Sequence, residues 1–454
     1  MGFLYSVIGF IIAIGVLVAV HEFGHYWVAK KLGVKVLKFS VGFGKPLWSK
    51  VAGKDQTEYV IAAIPLGGYV RMLGENDPDV TVSEDEKHRA FDNQPIWKRS
   101  LIILAGPGIN FLFAIVLLTL LGLQNEDRLD PVLGDPRPSS VLVQAGGQAG
   151  DRLLSVNGRE IQFLSQQQLY IMNQVLQGEP LTLEVLSGSS KRTLTVQTNE
   201  IPIYNINPRS MMLQLGLVPQ LPPITSEIGV VGKGSPAEKA GIEAGDKIVG
   251  ISGVAISSWK KMSEQIAPSE GRELSLDIDR QGERIQISVT PEVRDVNGES
   301  RSVIGVGPVA TPYAPEQLVV IERNLWQAFV HGLDQTWQMS TVTLRMLGKM
   351  VTLQVSHENI NGPITIANVA GQAIQIGLDY YIHVLAVISI SLGVMNLLPI
   401  PILDGGHLLV HLVEGIAGKR AAESFFAVGQ RVGVVLLLGF MVLAFYNDIF
   451  RLLN

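Results

Sequence analysis

Val20-His21-Glu22-Phe23-Gly24-His25 ends a run of almost wholly apolar residues that begins at Phe3. Residues four apart on a helix lie on one face, so both imidazoles can bind a single divalent metal ion. The Glu22 carboxylate stands beside the first histidine, where it can take a proton from a water molecule that the metal activates. Because the apolar run is long enough to span a bilayer, the motif predicts metal-dependent chemistry below a membrane surface.

Two other interpretations of this segment fit the residues less well. One is a set of ordinary helix–helix hydrogen bonds, but a charged carboxylate deep in a membrane costs about 2.5–3.5 kcal/mol. Zinc binding, worth about 10–16 kcal/mol in small peptides, can offset that cost. The other is a secretory signal peptide, but no basic residue precedes the apolar run and no small-residue cleavage site ends it. We therefore expect a membrane helix that carries a metal site.

The composition is that of a membrane protein with soluble parts. Of the 454 residues 47% are hydrophobic and the mean hydropathy is +0.28, yet only segments of the chain are apolar. The absence of cysteine excludes disulfides and thiolate ligands, so a zinc ion must be held by histidine and carboxylate. A net charge of −5 gives no reason to expect nucleic acid as a partner.

Three further apolar runs, near 101–123, 380–398 and 432–445, bring the predicted number of spans to four. Lysines and arginines follow the first span, precede the second, and lie between the third and fourth. Because such residues mark cytoplasmic loops, both termini and residues 124–379 are expected outside the cytoplasm. The metal motif then lies within the membrane, toward its cytoplasmic side.

Residues 39–45 and 59–72 predict two strands with glycine-marked bends, too apolar for a hairpin with one face in water. A short sheet that dips into the protein interior near the metal motif, with one edge open to an extended peptide, explains this pattern. A hairpin that only packs on the helices explains it equally well. The acidic stretch 75–86 predicts a surface loop without an assigned function.

An internal repeat lies between the second and third spans. Residues 147–161 recur as residues 242–256, and both copies contain a Gly-Asp turn, an alternating strand and an Asn-Gly or Ser-Gly turn. The pattern resembles the PDZ domains associated with bacterial proteases, more strongly in the second copy. Such domains can bind extended peptides or chain ends, or they can screen substrates by size. Residues 316–354 predict amphipathic helices that lie on the outer leaflet or pack against the repeat.

The second span carries small and polar residues near its start. Gly106 and Gly108 are expected to permit the close approach of another helix, and Pro107 frees a backbone carbonyl. Asn110 is a polar group at membrane depth. It predicts either a helix–helix hydrogen bond or a contact with the backbone of an unwound substrate.

The third span ends in an extended segment, because Pro399 and Pro401 cannot continue a helix. Asp404 follows at the expected depth of the two histidines, where its carboxylate is the natural third metal ligand and leaves a fourth position open for water. His407 and His411 form a second pair four residues apart, a rival site that lacks a neighbouring carboxylate. A role near the start of a helix fits these two residues better.

The combined motifs resemble those of the site-2 protease family of intramembrane zinc metalloproteases. They are His21-Glu22-x-x-His25, Gly106-Pro107-x-x-Asn110 and Asn396-x-x-Pro399-x-Pro401-x-x-Asp404-Gly405. The resemblance implies that Glu22 is the general base and that His21, His25 and Asp404 bind Zn²⁺. It also implies that other residues position the substrate, and the candidates for this role are Asn396, Pro399, Pro401, Asn110, Gly42, Phe43 and Gly44.

The expected architecture is an α-helical membrane protein with four transmembrane helices and a membrane-dipping β-hairpin, plus two α+β PDZ domains outside the cytoplasm. The expected segments are the first span (1–30), a cytoplasmic-side loop with the hairpin (31–97), the second span (98–123), two PDZ domains (124–221 and 222–311), interfacial helices (312–376), the third span (377–404), a cytoplasmic loop (405–425), and the fourth span with the C-terminus (426–454).

By the same resemblance, the chain is expected in the bacterial inner membrane, in contact with lipid and with its PDZ domains in the periplasm. Its substrate is expected to be a single-span membrane protein, such as an anti-sigma factor already trimmed on its outer side. Two other functions are open. One is a metal-ion transporter, although the spans lack a second file of polar residues, and the other is a non-catalytic PDZ scaffold that retains membrane proteins.

Overall fold

The computed structural model describes residues 2–75, 82–222, 224–296, 299–309 and 312–453, with the backbone alone at positions 66, 295, 296 and 299. Half of the predicted acidic loop 75–86, residues 76–81, thus lies outside the described residues, and residues 84–86 begin a short 3-10 helix. The α-helices are α1 (Gly2–Lys31), α2 (Ile96–Gly122), α3 (Val141–Gln144), α4 (Gln168–Gln177), α5 (Pro208–Leu215), α6 (Pro236–Ala240), α7 (Trp259–Ile266), α8 (Leu325–Val351), α9 (Pro363–Ile376), α10 (Leu378–Asn396), α11 (Asp404–Ala417) and α12 (Lys419–Leu453).

Four of these helices, α1, α2, α10 and α12, are long and apolar enough to cross a membrane. This agrees with the four spans that the sequence predicts. Their outward sides carry large apolar residues such as Ile11, Leu120 and Val435, which are exposed on the protein and suit a lipid environment. Where the helices meet, small residues allow close packing, as where Gly9 of α1 lies against the backbone of Ala370 in α9.

The segment before the last span differs from the expectation. Residues 405–425 were expected to form a loop, and this is wrong, because α11 fills most of the segment and α12 already begins at Lys419. α12 is also longer than its apolar run because polar residues at its end find partners. The buried Asp448 carboxylate accepts hydrogen bonds from the backbone N–H groups of Gly362 and Ile364 at 3.0 and 2.8 Å, so it caps the start of α9.

The strands form one sheet before the second span and several smaller sheets after it. They are β1 (Val36–Ala52), β2 (Thr57–Met72), β3 (Glu126–Leu129), β4 (Arg152–Val156), β5 (Arg159–Glu160), β6 (Leu181–Ser187), β7 (Ser190–Val196), β8 (Ile228–Val231), β9 (Lys247–Ile251), β10 (Val254–Ala255), β11 (Leu274–Arg280), β12 (Glu283–Val289), β13 (Glu292–Val296), β14 (Glu299–Val303), β15 (Val306–Pro308) and β16 (Leu318–Ile321).

The two long strands β1 and β2 bend sharply, so that they pair twice. Residues 38–41 of β1 pair with residues 58–61 of β2 on one side and with residues 68–71 on the other. The glycines predicted to mark bends do so, since Gly42 and Gly44 adopt φ values of +96° and +86° that other residues avoid. The last part of β2, residues 68–72, is therefore an edge of the sheet, and within the described residues no further strand pairs with it.

The sequence repeat corresponds to two domains of one architecture. Each has a four-stranded antiparallel sheet, in the order β5-β4-β6-β7 in the first copy and β10-β9-β11-β12 in the second. In both, a two-residue turn with positive φ, at Asn157-Gly158 and Ser252-Gly253, joins the equivalent strands. Short helices and the sheet enclose a separate aliphatic core in each copy. Because the two domains have the same strand order, the same sequence pattern occurs in both.

Helices α8 and α9 connect the second domain to the third span. α8 packs on α2, where Gly332 lies against Thr119, and on α4, where Asn173 donates hydrogen bonds to Gln338. Its outward face carries the exposed Trp326 and Trp337, in agreement with an amphipathic helix. α8 also packs on the first domain, which is one of the two predicted arrangements, and a position on the outer leaflet stays a prediction.

Candidate active site

The site begins where α1 and α2 touch, and two glycines permit this contact. A Cβ atom on Gly24 would lie 2.3 Å from the carbonyl oxygen of Ala105, and one on Gly106 would lie 2.3 Å from His25 Nε2. No side chain fits in either place. Gly108, which was expected to permit close approach as well, has open space around its Cα. The two helices therefore meet at one glycine pair, directly at the histidines.

The nitrogens of both histidines and one carboxylate oxygen form a small triangle. His21 Nε2 and His25 Nε2 are 3.2 Å apart, and they lie 3.3 and 3.5 Å from Asp404 Oδ2. Four ligands placed tetrahedrally at 2.0–2.1 Å from a zinc ion are about 3.3 Å from one another. The three atoms already have the spacing of three corners of such a tetrahedron.

Each imidazole is oriented by a contact of its other nitrogen. His25 Nδ1 lies 2.9 Å from the carbonyl oxygen of Ile102, and because a carbonyl only accepts, this nitrogen carries the proton. His21 Nδ1 lies 3.2 Å from the side-chain amide of Asn110, whose Oδ1 is buried without a partner among the described residues. An amide rotated by 180° would place Oδ1 there to accept the Nδ1 proton of His21.

The fold brings Asp404 to the histidines through the turn that follows α10. The backbone turns at Leu397–Leu403, and Asp404 is the first residue of α11. Gly405 and Gly406 are required next, because a Cβ on either would lie within 2.3 Å of a carbonyl oxygen of the turn. Pro401, inside the turn, packs against Gly429 of α12. The turn thus packs against the start of α11 on one side and against α12 on the other. These contacts fix the position of the Asp404 carboxylate.

These residues fit a metal ion on the evidence of their own chemistry. With Nδ1 protonated in both rings, each Nε2 presents a lone pair toward the carboxylate. Asp404 Oδ2 is buried and accepts no hydrogen bond within the described parts of the chain. Three electron-pair donors held this close repel one another unless a cation lies between them. His21, His25 and Asp404 are also the one group in the described residues with metal-binding spacing.

A cavity of about 380 Å³ opens on these three residues. Glu22, which is buried, lines this cavity. Three residues from the edge of β2 also line it, Gly68, Tyr69 and Val70. A Cβ on Gly68 would lie 2.8 Å from the Glu22 side chain, so the sheet packs directly on the glutamate. The other walls carry the charged groups Glu75, Asp92, Arg99, Glu414, Lys419 and Glu423. The cavity thus joins a polar entrance to the metal-binding triangle, past the free edge of the sheet.

The remaining predicted site residues lie around this cavity and not in its lining. Phe43 of β1 stacks on Tyr69 with ring centroids 6.2 Å apart, and Gly42 and Gly44 flank it. Asn396 is the last residue of α10, and its side chain makes no hydrogen bond to any other described residue. Pro399 is exposed within the turn before Asp404.

The rival histidine pair is used differently. His407 and His411 line the same cavity, but His411 Nδ1 contacts Ser100 Oγ at 3.1 Å and His407 packs against the Phe426 ring. Both lie in α11, His407 in its first turn and His411 in the middle of the helix, so the expected role near a helix start fits the position of His407 only.

Sequence reasoning missed several residues of the site. Gly24 lies inside the metal motif, yet only the helix crossing shows why it must be small. Gly68, Tyr69 and Val70 belonged to a hairpin for which strand addition was one of two open interpretations, but the residues of the edge that faces the cavity were not identified. The Leu-Gly-Gly-Tyr sequence at 66–69 was the available signal, since paired glycines in a strand often mark a close approach of other atoms.

Two histidines and a buried glutamate on a helix of membrane length, with the aspartate that begins α11 at the same cavity, are the arrangement expected of a membrane metallopeptidase. The sequence pattern of peptidase family M50 matches residues 9–440, and the chain belongs to that family. The predicted resemblance to site-2 proteases and the prediction of a protease are thereby confirmed.

Full-length relatives agree with this assignment. The chain is 38% identical to "Protease RseP" of Yersinia pestis over 456 residues, and 37% identical to "Regulator of sigma-E protease RseP" of Escherichia coli strain K12 over 453 residues. It is also 37% identical to "Regulator of sigma E protease" of Haemophilus influenzae. In each case the similarity covers 100% of both chains, so it includes the two outer domains as well as the spans.

Proposed function

We propose that this protein is a zinc endopeptidase that hydrolyses a peptide bond within the transmembrane segment of a single-span membrane protein. The observation that carries the proposal is the triangle of His21, His25 and Asp404, set at 3.2–3.5 Å spacing among helices of membrane length. A peptide bond can reach these residues only from within the helix bundle or through the polar cavity beside it.

Zinc fits this donor set better than other metals. Two imidazoles and one carboxylate, with a fourth position open, are a typical catalytic zinc site, whereas magnesium and calcium prefer oxygen ligands. When bound, the ion supplies Lewis acidity, which polarises a carbonyl and lowers the pKa of water toward about 7.

Glu22 is the proposed general base. Its carboxylate takes the proton of the attacking water and passes it to the nitrogen of the leaving amine. Gly68 packs directly against the Glu22 side chain, and Glu22 lines the cavity. His21 and His25 hold the ion, and Ile102 and Asn110 are positioning residues that keep the two rings in the metal-binding tautomer.

A helical substrate must unwind before it is cut, because its carbonyls are engaged in i→i−4 hydrogen bonds. The edge at residues 68–70 of β2 lines the cavity, and its outward backbone groups can pair with an extended substrate. The Asn396 side chain, which has no partner within the described residues, can bond a freed substrate carbonyl. We propose this role for Asn396, and a supporting role for Phe43 between Gly42 and Gly44, beneath Tyr69. Pro399 and Pro401 act by shaping the turn before Asp404.

We further propose that the two outer domains are PDZ domains in the periplasm of a bacterium whose inner membrane holds the four spans. The distribution of lysine and arginine supports this orientation. The matching strand order and Gly-Asp turns support the PDZ assignment. The names of the Escherichia coli and Haemophilus influenzae relatives refer to sigma-E, which supports an anti-sigma factor, trimmed beforehand on its outer side, as the substrate.

The direct test uses the detergent-purified full chain and a model single-span substrate. Cleavage is followed by mass spectrometry, which also locates the bond that is cut. We expect cleavage inside the apolar segment, loss of activity with a zinc chelator, and recovery when zinc is added back. Cleavage that continues at full rate after the metal content has fallen to zero would contradict the proposal.

A further inference from the structure

A second cavity, of about 520 Å³, lies at the opposite ends of the spans from the metal triangle. It is enclosed by the end of α2, the start of α10, the helix α8 and the underside of the first outer domain. Leu118, Leu121 and Met339 form its apolar side. Its polar side carries Glu126, Arg128, Arg323, His331, Asp379 and His383. None of these residues has a part in the proposed cleavage reaction.

The charges around this cavity are not fully paired. Arg128 Nε donates to Glu126 Oε2 at 2.8 Å, and its guanidinium lies over the Phe163 ring. Arg323 is half-buried next to them, yet it makes no hydrogen bond or ion pair with any other described residue. Burial and the neighbouring Arg128 together lower its pKa, although Glu126 acts in the opposite direction. A half-buried guanidinium without a partner is costly, and an anion would remove that cost.

The nearby histidine adds no second positive charge to the cavity at neutral pH. His331 faces the same cavity, and burial together with Arg323 lowers its pKa to about 4, so the ring is neutral at pH 7. Asp379 accepts a hydrogen bond from Gln124 at 2.9 Å and forms no ion pair within the described residues. The cavity therefore holds one arginine and one carboxylate that form no direct ion pair within the described residues, although Glu126 lies close enough to Arg323 to raise its pKa.

The position of the cavity points to a lipid as the source of the anion. It is bordered by the outer ends of two membrane-length helices, and Leu325, Trp326 and Tyr380 are exposed close by. Tryptophan and tyrosine at such positions commonly mark the level of lipid headgroups. Arginine binds phosphate through two parallel hydrogen bonds, and the leucines of α2 offer an apolar surface for acyl chains.

We propose that this cavity binds the phosphate group of a membrane phospholipid, with Arg323 as the main ligand and Arg128 beside it. Asp379 is in place to accept a hydrogen bond from a headgroup amine. The bound lipid would join the first outer domain, α8 and two spans at the membrane surface. This inference is independent of the cleavage reaction.

The test measures binding to the full chain in amphipol, by microscale thermophoresis. The ligands are dihexanoyl phosphatidylethanolamine, dihexanoyl phosphatidylglycerol, dihexanoylglycerol without phosphate, and inorganic phosphate. We expect both phospholipids to bind, phosphatidylethanolamine the more tightly, and the other two to bind at least tenfold more weakly. Arg323→Gln should weaken phospholipid binding by about tenfold or more, since one charge-assisted hydrogen-bonded contact is lost.

Arg284→Gln is the matched control, because Arg284 is an exposed arginine in the second outer domain. Arg323→Lys keeps the charge but loses the two parallel hydrogen bonds, so its affinity should lie between those of the wild type and Arg323→Gln. Equal affinity for dihexanoylglycerol and the phospholipids would mean that the acyl chains alone bind, and equal affinity for inorganic phosphate would mean a free-anion site. Either result overturns the proposal, as does unchanged binding in Arg323→Gln. The ligand comparison on the wild type decides the matter even if Arg323→Gln does not fold.

Discussion

The membrane helices and the two outer domains bury carboxylates in opposite ways. In the second outer domain the Asp246 side chain is 1% exposed and accepts hydrogen bonds from Arg280 at 2.7 and 2.8 Å. Among the spans, Asp404 Oδ2 is buried without a hydrogen-bond donor and faces two nitrogen lone pairs. The first arrangement is complete without a ligand, and the second needs a cation.

This difference indicates where the chemistry lies. A satisfied buried ion pair fixes a loop, whereas an unsatisfied group of three ligand atoms is retained because a bound ion completes it. We therefore expect the reaction to depend on the residues of the metal triangle and not on the ion pairs of the outer domains. Variants that change one region and leave the other intact test this division.

The largest effect is expected from Glu22→Gln. The amide cannot take a proton from water, so cleavage of a transmembrane substrate should fall by about 10²–10⁴-fold, the range for loss of a general base. Bound zinc, measured by mass spectrometry of the metal, should remain near one per chain because no ligand is changed. A variant that keeps its full activity would remove Glu22 from the mechanism.

The next largest effect is expected from Gly106→Ala. The added methyl would lie 2.3 Å from His25 Nε2 and 2.8 Å from His21 Cε1, so one or both rings must move and zinc should be lost with activity. Gly108→Ala is the matched control two residues away, where nothing lies within 4 Å. It should keep zinc and stabilise the helix by about 1 kcal/mol. Equal zinc content in both variants would contradict the contact between α1 and α2.

A smaller effect is expected from Asn110→Ala, which removes the group that orients His21. Partners of this kind typically contribute 10–100-fold to metal affinity, so competition with a chelator should show a loss in that range. Ser389→Ala is the control, because Ser389 Oγ donates to the backbone oxygen of Asn110 at 2.8 Å and does not touch the histidine. If both variants bind zinc equally well, Asn110 serves only the contact between helices.

The smallest effect on the reaction is expected from Asp246→Asn in the second outer domain. Burial raises the pKa of Asp246, but the bonds from Arg280 and from the Glu243 N–H outweigh it and hold the pKa below its ordinary value of 3.8. The ion pair therefore stabilises the domain at neutral pH, and this contribution is lost as the pH falls through the native pKa. Replacement should cost about 1–3 kcal/mol at pH 7 and leave the zinc content unchanged.

Thermal unfolding of wild type and Asp246→Asn between pH 3 and pH 7 measures this cost, and the gap should narrow toward acid. Asp151→Asn in the first copy is the comparison. Its carboxylate accepts from the neutral Ser187 hydroxyl and from the Gln148 N–H, so a smaller cost is expected. Loss of zinc from either variant would show that the outer domains and the metal site are coupled in stability.

Much of the architecture was readable from local patterns. The metal motif, the four apolar runs and the 95-residue repeat each depend on residues that are close in sequence, so periodicity and composition reveal them. The segment 405–425 was mispredicted as a loop because its helix is stabilised by packing on α2 and α12, which local patterns do not record. The sequence also did not predict that residues 38–41 of β1 pair with two separate parts of β2. This pairing depends on how sharply the strands bend, which local patterns do not record.

By itself, the sequence determined the ligand types, the membrane setting and the family of this protein, because these follow from residue chemistry and spacing along the chain. Only the tertiary structure decided that Gly24 and Gly106 bring α1 onto α2, that Asn110 faces His21, and that residues 68–70 of β2 line the cavity. The physical reason is that close packing depends on the distance between elements in space. At Gly106 the missing Cβ atom leaves the space that the His25 ring occupies. No local sequence pattern shows which glycine has this role.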